Sequence, residues 1–391
     1  MDSEPASLEL RGGRVWDGVS DAATGGSVFT STSEGVGTIV EGASEGAVVL
    51  DVSGCTVVPG LIEAHTHLCF NAGDDWRAVY DSDTPGQMLL RMAGAARRML
   101  EAGITTVRDL GAPTELAVEL RDSIRAGLVA GPDLLVAGAP ITPTGGHCWF
   151  MGGEADGIEA VKVAVRERKK AGVDWIKVMA SGGNMTPGTN PLAAQFSVEE
   201  LRAIVAEAHR LEMQVTAHAH GVEGIKVAVE APVDMIEHCS FQTLDGPAKE
   251  DAVILDIARQ GIKVSPTIHR GFGKFRGEAR WAMRAELTQA LIGAGCQVLM
   301  STDSGIPAAP HEDLAHALGV VQELTGLSPI ETMKLATSTS AQHLDLPDRG
   351  TIAPGQRADL LVVEGDPTQD LEALQRVRAV VSKGAVVHRK R

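Results

Sequence analysis

The chain has 391 residues, 44% hydrophobic and 22% charged, with a formal net charge of -16. That is enough chain for a large buried core, and the acidic balance excludes nucleic acid and anionic membrane as expected partners. No stretch approaches the ~20 apolar residues of a membrane helix and Met1–Leu10 lacks a basic or apolar leader, so a cytoplasmic protein is expected; Cys55, Cys69, Cys148, Cys239 and Cys296 form no CxxC and argue against disulfides or a thiolate zinc knuckle.

At the N-terminal end Leu8–Asp17 and Gly37–Val52 read as strands between Gly-rich turns. Leu360–Val363 and Ala379–His388 read the same way at the other end, and Gly350–Asp366 fits strand, turn and strand. The two ends predict one small β-sandwich domain, split between residues 1–59 and 348–391. Residues 60–347 alternate apolar runs with amphipathic segments. The candidate strands are Val58–Leu68, Thr105–Leu110, Asp133–Ile141, Trp175–Ser181, Gln214–His220, Met235–Cys239, Lys263–His269 and Gln297–Asp303. Helical periodicity marks Gly86–Gly103, Ala155–Gly172, Ser197–Glu212 and Gly246–Gly261, with Ser197 and Glu200 forming a capping box and glycines closing several segments. Aromatic residues are only 3% of the chain, so Ala, Val, Leu and Ile must build the core, which suits helices packed on a parallel sheet. Eight strands over roughly 285 residues predict an α/β fold of the (β/α)8 TIM barrel kind. The basic face Lys162, Arg166, Arg168, Lys169 and Lys170 reads as a solvated helix surface.

On a strand, i and i+2 share a face, so His65 and His67 can approach one ion together at the end of the first candidate strand. The pair alone fits two loop histidines equally well. Position adds weight, because His218, His238 and Asp303 end the fifth, sixth and eighth candidate strands, where barrel active sites lie. Lys177 interrupts the apolar fourth strand; it is either a snorkelling surface lysine or a buried amine. A buried, neutral amine reacts with CO2, and the carbamate is an anionic ligand able to bridge two cations. His147 follows two glycines after the third strand; it suits hydrogen bonding to a substrate carbonyl or oxyanion, or a structural loop role. Arg270 suits a carboxylate clamp, although an arginine after a strand is more often solvated. His269 is placed to border the substrate and, like His220, to support the ligands rather than bind metal directly.

These residues carry a family likeness. The run Val58-Pro-Gly-Leu-Ile-Glu-Ala-His-Thr-His67, a lysine on strand four, histidines on strands five and six and an aspartate on strand eight resemble the amidohydrolase superfamily over nearly the whole chain. Lys177-Val-Met-Ala-Ser-Gly-Gly183, Thr216-Ala-His-Ala-His-Gly221, Ile236-Glu-His238 and Pro143-Thr-Gly-Gly-His147 are similar to the imidazolonepropionase-related dipeptidases, of the Xaa-Pro dipeptidase or Xaa-Arg carboxypeptidase kind. The resemblance implies two divalent ions, zinc by default, with His65, His67 and Asp303 on one, His218 and His238 on the other, and carboxylated Lys177 bridging them. It implies hydrolysis of a dipeptide or N-acyl amino acid by a metal-bridging hydroxide, with Asp303 as general acid–base, and therefore a small-molecule substrate; a homo-oligomer is left open. Imidazolonepropionase lacks the bridging lysine, so Lys177 favours the dipeptidase branch. The alternatives are a cyclic-amide or imidazolone-type C–N hydrolase and a metal-binding protein without catalysis, which retention of all six ligands disfavours. Two departures stand out: Cys239 and Ser304 replace residues that relatives often have as glycine and alanine.

Overall fold

The computed structural model describes residues 7–33, 36–42 and 45–390. Residues 1–6 and 391, at the extremities of the expected split domain, and residues 43–44 of the expected Gly37–Val52 strand lie outside them. Both chain ends enter one eight-stranded sheet. Ser7–Val15, Thr24–Ser33, Val36–Val40, Val48–Asp51 and Cys55–Pro59 come from one end, and Leu360–Glu364, Val377–Ser382 and Ala385–Arg389 from the other. Cys55–Pro59 and Leu360–Glu364 pair antiparallel and join the two contributions. The unbroken apolar text of Leu360–Val363 has a direct cause. Leu360 and Val362 pack into the core of this sheet, whereas Leu361 and Val363 pack into the larger core, so both faces of the strand are buried.

The expected strand Val58–Leu68 is two strands, and the break falls at Gly60. A Cβ there would lie 2.2 Å from Thr105 Oγ1, so only glycine lets the chain pass from one sheet to the next. Beyond it run the parallel strands β1 (Leu61–Thr66), β2 (Ile104–Asp109), β3 (Asp133–Val136), β4 (Ile176–Met179), β5 (Val215–Gly221), β6 (Met235–Thr243), β7 (Lys263–Ser265) and β8 (Gln297–Val298). They form two parallel sheets, β1–β2–β3 and β4–β5–β6–β7–β8. Parallel bridges Ile141–Val178 and Thr66–Ser304 lie at the two gaps between these sheets, consistent with the expected barrel.

Helices follow the strands, and Ser197 caps Val198–Arg210 in the expected box with Glu200. Two expectations need correction. The segment Gly246–Gly261 does not begin as helix: Gly246–Pro247 pairs back onto Gln242 and Thr243, and the helix starts at Asp251. Arg168 does not belong to the solvated basic face, because it is buried and its Nε donates to Ala139 O at 2.8 Å.

Candidate metal and active site

Histidines from β1, β5 and β6 and the aspartate beyond β8 meet at the C-terminal ends of the parallel strands. His65 Nε2 lies 3.3 Å from His67 Nε2, and Asp303 Oδ1 lies 3.3 Å from the first and 3.2 Å from the second. The opposite ring nitrogens are already engaged, His65 Nδ1 with Glu237 Oε2 at 2.8 Å and His67 Nδ1 with the Gly111 carbonyl at 3.0 Å. Both acceptors require an N–H, so each Nε2 turns its lone pair toward Asp303. Asp303 Oδ1 itself is buried without a hydrogen-bond partner. Donors bound at 2.0–2.1 Å on the corners of a tetrahedron stand about 3.3 Å apart, so these three atoms fit one cation.

The titration behaviour agrees. Burial draws His65 down to about 4, with the nearby Lys177 ammonium adding to the effect. For His67 burial is outweighed by the nearby Asp303 carboxylate, and its pKa is raised; the proton concerned would sit on the nitrogen that a cation would take. Burial opposes ionisation of Asp303, but His65 and His67 keep its pKa below the ordinary value.

A second group lies alongside. Ligand-capable atoms of His218, His220 and His238 fall within 4.8 Å of one another, as do those of His65, His238 and Asp303, so His238 belongs to both groups. His218 Nε2 contacts Gly182 O at 3.0 Å, which leaves Nδ1 free. His238 Nδ1 and His220 Nδ1 face Thr267 Oγ1 and Ser240 Oγ at 2.8 Å each, which leaves their Nε2 atoms free. Burial, and then the neighbouring imidazoles, hold His218 and His238 well below the usual histidine range. Lys177 stands among them, 2% exposed, and its Nζ has no hydrogen-bond partner. Burial lowers it to about 8 against the pull of Glu237 and Asp303, so neutral amine is accessible near physiological pH.

Several of these residues sit on strained backbone. His238, Cys239, Thr267 and Asp303 have φ of 66°, 42°, 52° and 58°, in the left-handed region that non-glycine residues avoid. His238, Thr267 and Asp303 line the cavity from these positions, and Cys239, buried between His238 and Ser240, adopts a conformation that suits glycine.

His147 lines the same cavity of about 810 Å³. Its Nδ1 is 2.9 Å from Thr186 Oγ1, which also accepts the Cys148 N–H at 2.9 Å. With the Thr186 hydroxyl donating to Nδ1, the His147 proton would sit on Nε2 as a donor. Burial, and then His220, lower its pKa to about 3, so the ring is neutral. Gly183 makes room for it, since a Cβ there would lie 2.3 Å from Nε2. His269 also lines the cavity, with Nδ1 buried and unpartnered. Arg270 is not among the lining residues: its side chain is 51% exposed, with Nε 2.7 Å from Asp313 Oδ2.

The sequence profile of the amidohydrolase family matches residues 56–387. The chain belongs to the amidohydrolase family. Such an amidohydrolase is a hydrolase acting on C–N bonds, in a superfamily whose members are generally metal-dependent. It is 30% identical over 362 residues to ochratoxinase of Aspergillus niger, covering 83% of this chain and 73% of that protein. It is 26% identical over 356 residues to imidazolonepropionase of Deinococcus deserti, covering 82% of this chain and 80% of that one. Among solved structures it superposes on a Xaa-Pro dipeptidase with methionine bound in the active site, with TM-score 0.84, 26% identity and coverage of 98% and 100%.

Sequence reasoning missed the residues that orient the candidate ligands of this amidohydrolase. Glu237, fully buried beside His238, accepts from Thr216 Oγ1 at 2.6 Å and from Arg108 Nη2 at 2.8 Å besides holding His65. Burial opposes its charge, but Arg108 and His65 keep it well below the usual carboxylate range. Glu63 accepts from the His65 and Thr302 amides at 3.0 Å each and ties β1 to the segment before Asp303; burial pushes its pKa up to about 7. A charged residue inside an apolar run, the signal that singled out Lys177, marks both glutamates.

Proposed function

We propose that this amidohydrolase is a binuclear enzyme that hydrolyses the amide bond of a dipeptide or N-acyl amino acid. The observation that carries the reading is the convergence of unshared donor atoms, from His65, His67, Asp303, His218 and His238, on a cavity that also holds the unpartnered amine of Lys177. Five donors exceed what one tetrahedral ion needs, and the imidazole and oxygen set suits zinc. Lys177 would form a bond from Nζ to the carbon of CO2 and release a proton, giving an anion that joins the two donor groups. Two divalent cations, when bound, supply acidification of a water and polarisation of the scissile carbonyl.

The rest is done by the chain's own residues. His147 offers Nε2–H to the amide oxygen as it gains charge. Asp303 takes a proton from the attacking water and returns it to the leaving nitrogen, which departs as an amine. Glu237 and the Gly111 carbonyl keep His65 and His67 in the tautomer that presents Nε2. For the scaffold, we infer a closed (β/α)8 barrel spanning 60–347, supported by the bridges at both gaps, and a split β-sandwich built from 1–59 and 348–391, supported by its separate apolar core.

The deciding experiment is a kinetic panel of N-acyl amino acids and dipeptides against cyclic amides. Turnover of the open-chain amides is expected; exclusive turnover of the cyclic amides would transfer the site to the imidazolone-type alternative.

A further inference from the structure

The helix Ala279–Gly293 presents Ala279, Arg280, Met283 and Arg284 to the cavity from its first two turns. Arg284 is 7% exposed. Its hydrogen bonds go to backbone carbonyls only, Nη2 to Pro266 O and, at 3.4 Å, to His238 O. Three other buried guanidiniums meet carboxylates: Arg108 meets Glu237, Arg121 meets Asp174 and Arg357 meets Asp133. Arg168, like Arg284, is held by a backbone carbonyl, but it does not line the cavity. Arg284 meets no carboxylate among the described residues; the ionisable groups near enough to interact with it include Cys239 and His220, neither of them a carboxylate. A guanidinium stays a cation at neutral pH. A buried charge without a counter-ion is costly, and with Nη2 given to the two carbonyls, Nε and Nη1 are left to donate to a carboxylate in the cavity. The contact to the His238 carbonyl places the guanidinium beside the backbone of one of the candidate ligands, on the cavity that they share.

The neighbouring wall is apolar. Phe272 and Phe275 lie edge to face with centroids 5.3 Å apart, and with Met283 they line the cavity on the side of Arg284. The acids on the lining are Asp303, committed to the histidines, and Asp245, an exposed residue in the turn after β6. Arg280 is exposed, with its guanidinium over Phe275 at 4.4 Å. Nothing on this wall would pair a buried ammonium or guanidinium.

We propose that Arg284 holds the α-carboxylate of the leaving residue, and that Phe272, Phe275 and Met283 receive its side chain. Resting on the amide-hydrolase reading above, this makes the substrate an N-acyl amino acid or dipeptide ending in an apolar residue, not in lysine or arginine.

The test uses metal-loaded enzyme with N-acetyl-L-methionine, its C-terminal amide and Nα-acetyl-L-lysine. The wild type is expected to prefer the methionine acid over the amide by ~100-fold or more, and over the lysine compound by ~10-fold or more, in kcat/KM. Arg284→Gln should bring acid and amide within ~3-fold, through a higher KM for the acid alone and an unchanged constant for the amide. A purely structural arginine would lower both substrates together. An acid preference that survives Arg284→Gln overturns the assignment of Arg284 while leaving the amidase reading intact; failure of every open-chain amide alongside turnover of a cyclic one overturns both. A preference for the lysine compound overturns the apolar pocket. Should Arg284→Gln fold poorly, competitive inhibition of the wild type by L-methionine and L-methioninamide decides: the acid should bind ~30-fold tighter or better, and equal inhibition overturns the proposal.

Discussion

Lys177 Nζ is buried with no acceptor of its own, an arrangement that is expensive for an ammonium and that a carbamate would relieve only when paired with the cations it would join. Lys177→Ala is expected to lose one of two cations and nearly all activity, with partial rescue by short-chain carboxylates, which supply the two oxygens of the carbamate. Unchanged kinetics would remove Lys177 from the site. Gly183 offers a subtler probe of His147. A Cβ at that position meets the His147 ring at 2.3 to 2.7 Å, so Gly183→Ala must turn the imidazole out of place. The expected result is a ~10- to 100-fold loss of kcat with metal content unchanged, measured by steady-state kinetics beside elemental analysis. Loss of metal instead would show that the ring position matters to the ligands and not to the carbonyl.

At the scale of elements, the start of β3 is clamped to the returning chain. Asp133 Oδ2 accepts from Arg349 Nη1 at 2.5 Å and from Arg357 Nη1 at 2.9 Å, and both guanidiniums also reach Thr106 Oγ1 on β2. Burial favours the neutral acid, but Arg357 and Arg349 outweigh it and hold the carboxyl far below the ordinary value. A depressed folded pKa stabilises the native state above the unfolded carboxyl pKa of about 4, and that stability drains away as pH falls toward the folded value. Asp133→Asn should therefore cost about 3 kcal/mol at pH 7, and the gap to wild type should narrow below pH ~4. Urea unfolding of both proteins at several pH values checks this. A gap independent of pH would mean that the clamp acts by shape rather than charge.

For the whole molecule, the alternation of apolar runs and periodic segments was readable because most of those strands are buried on both faces, and the candidate cluster was readable because its histidines and aspartate lie at the ends of such runs and Lys177 interrupts one. What was not readable depends on distant closure. The left-handed backbone at His238, Thr267 and Asp303 is imposed by neighbouring strands, and nothing local announces it. Arg270 stands where a clamp would be sought in the text, but the 3-10 turn Arg270–Phe275 delivers it to Asp313, while Arg284 reaches the cavity from the next helix. The same closure gathers the unshared donors, and this sets a molecular prediction. Without cations, Asp303 and several imidazoles face one another with lone pairs, so the folded state gains from anything that binds there and not to the unfolded chain. Protein purified without chelator is expected to carry two divalent ions per chain by elemental analysis. Removing them should abolish activity and lower Tm by several degrees, since binding at [L] of about 100 Kd is worth ~2.7 kcal/mol per site. Restoring zinc should recover both. A stoichiometry of one with full activity would leave Lys177 without a bridge to form, and would return the second histidine group, His218 with His220 and His238, to substrate binding.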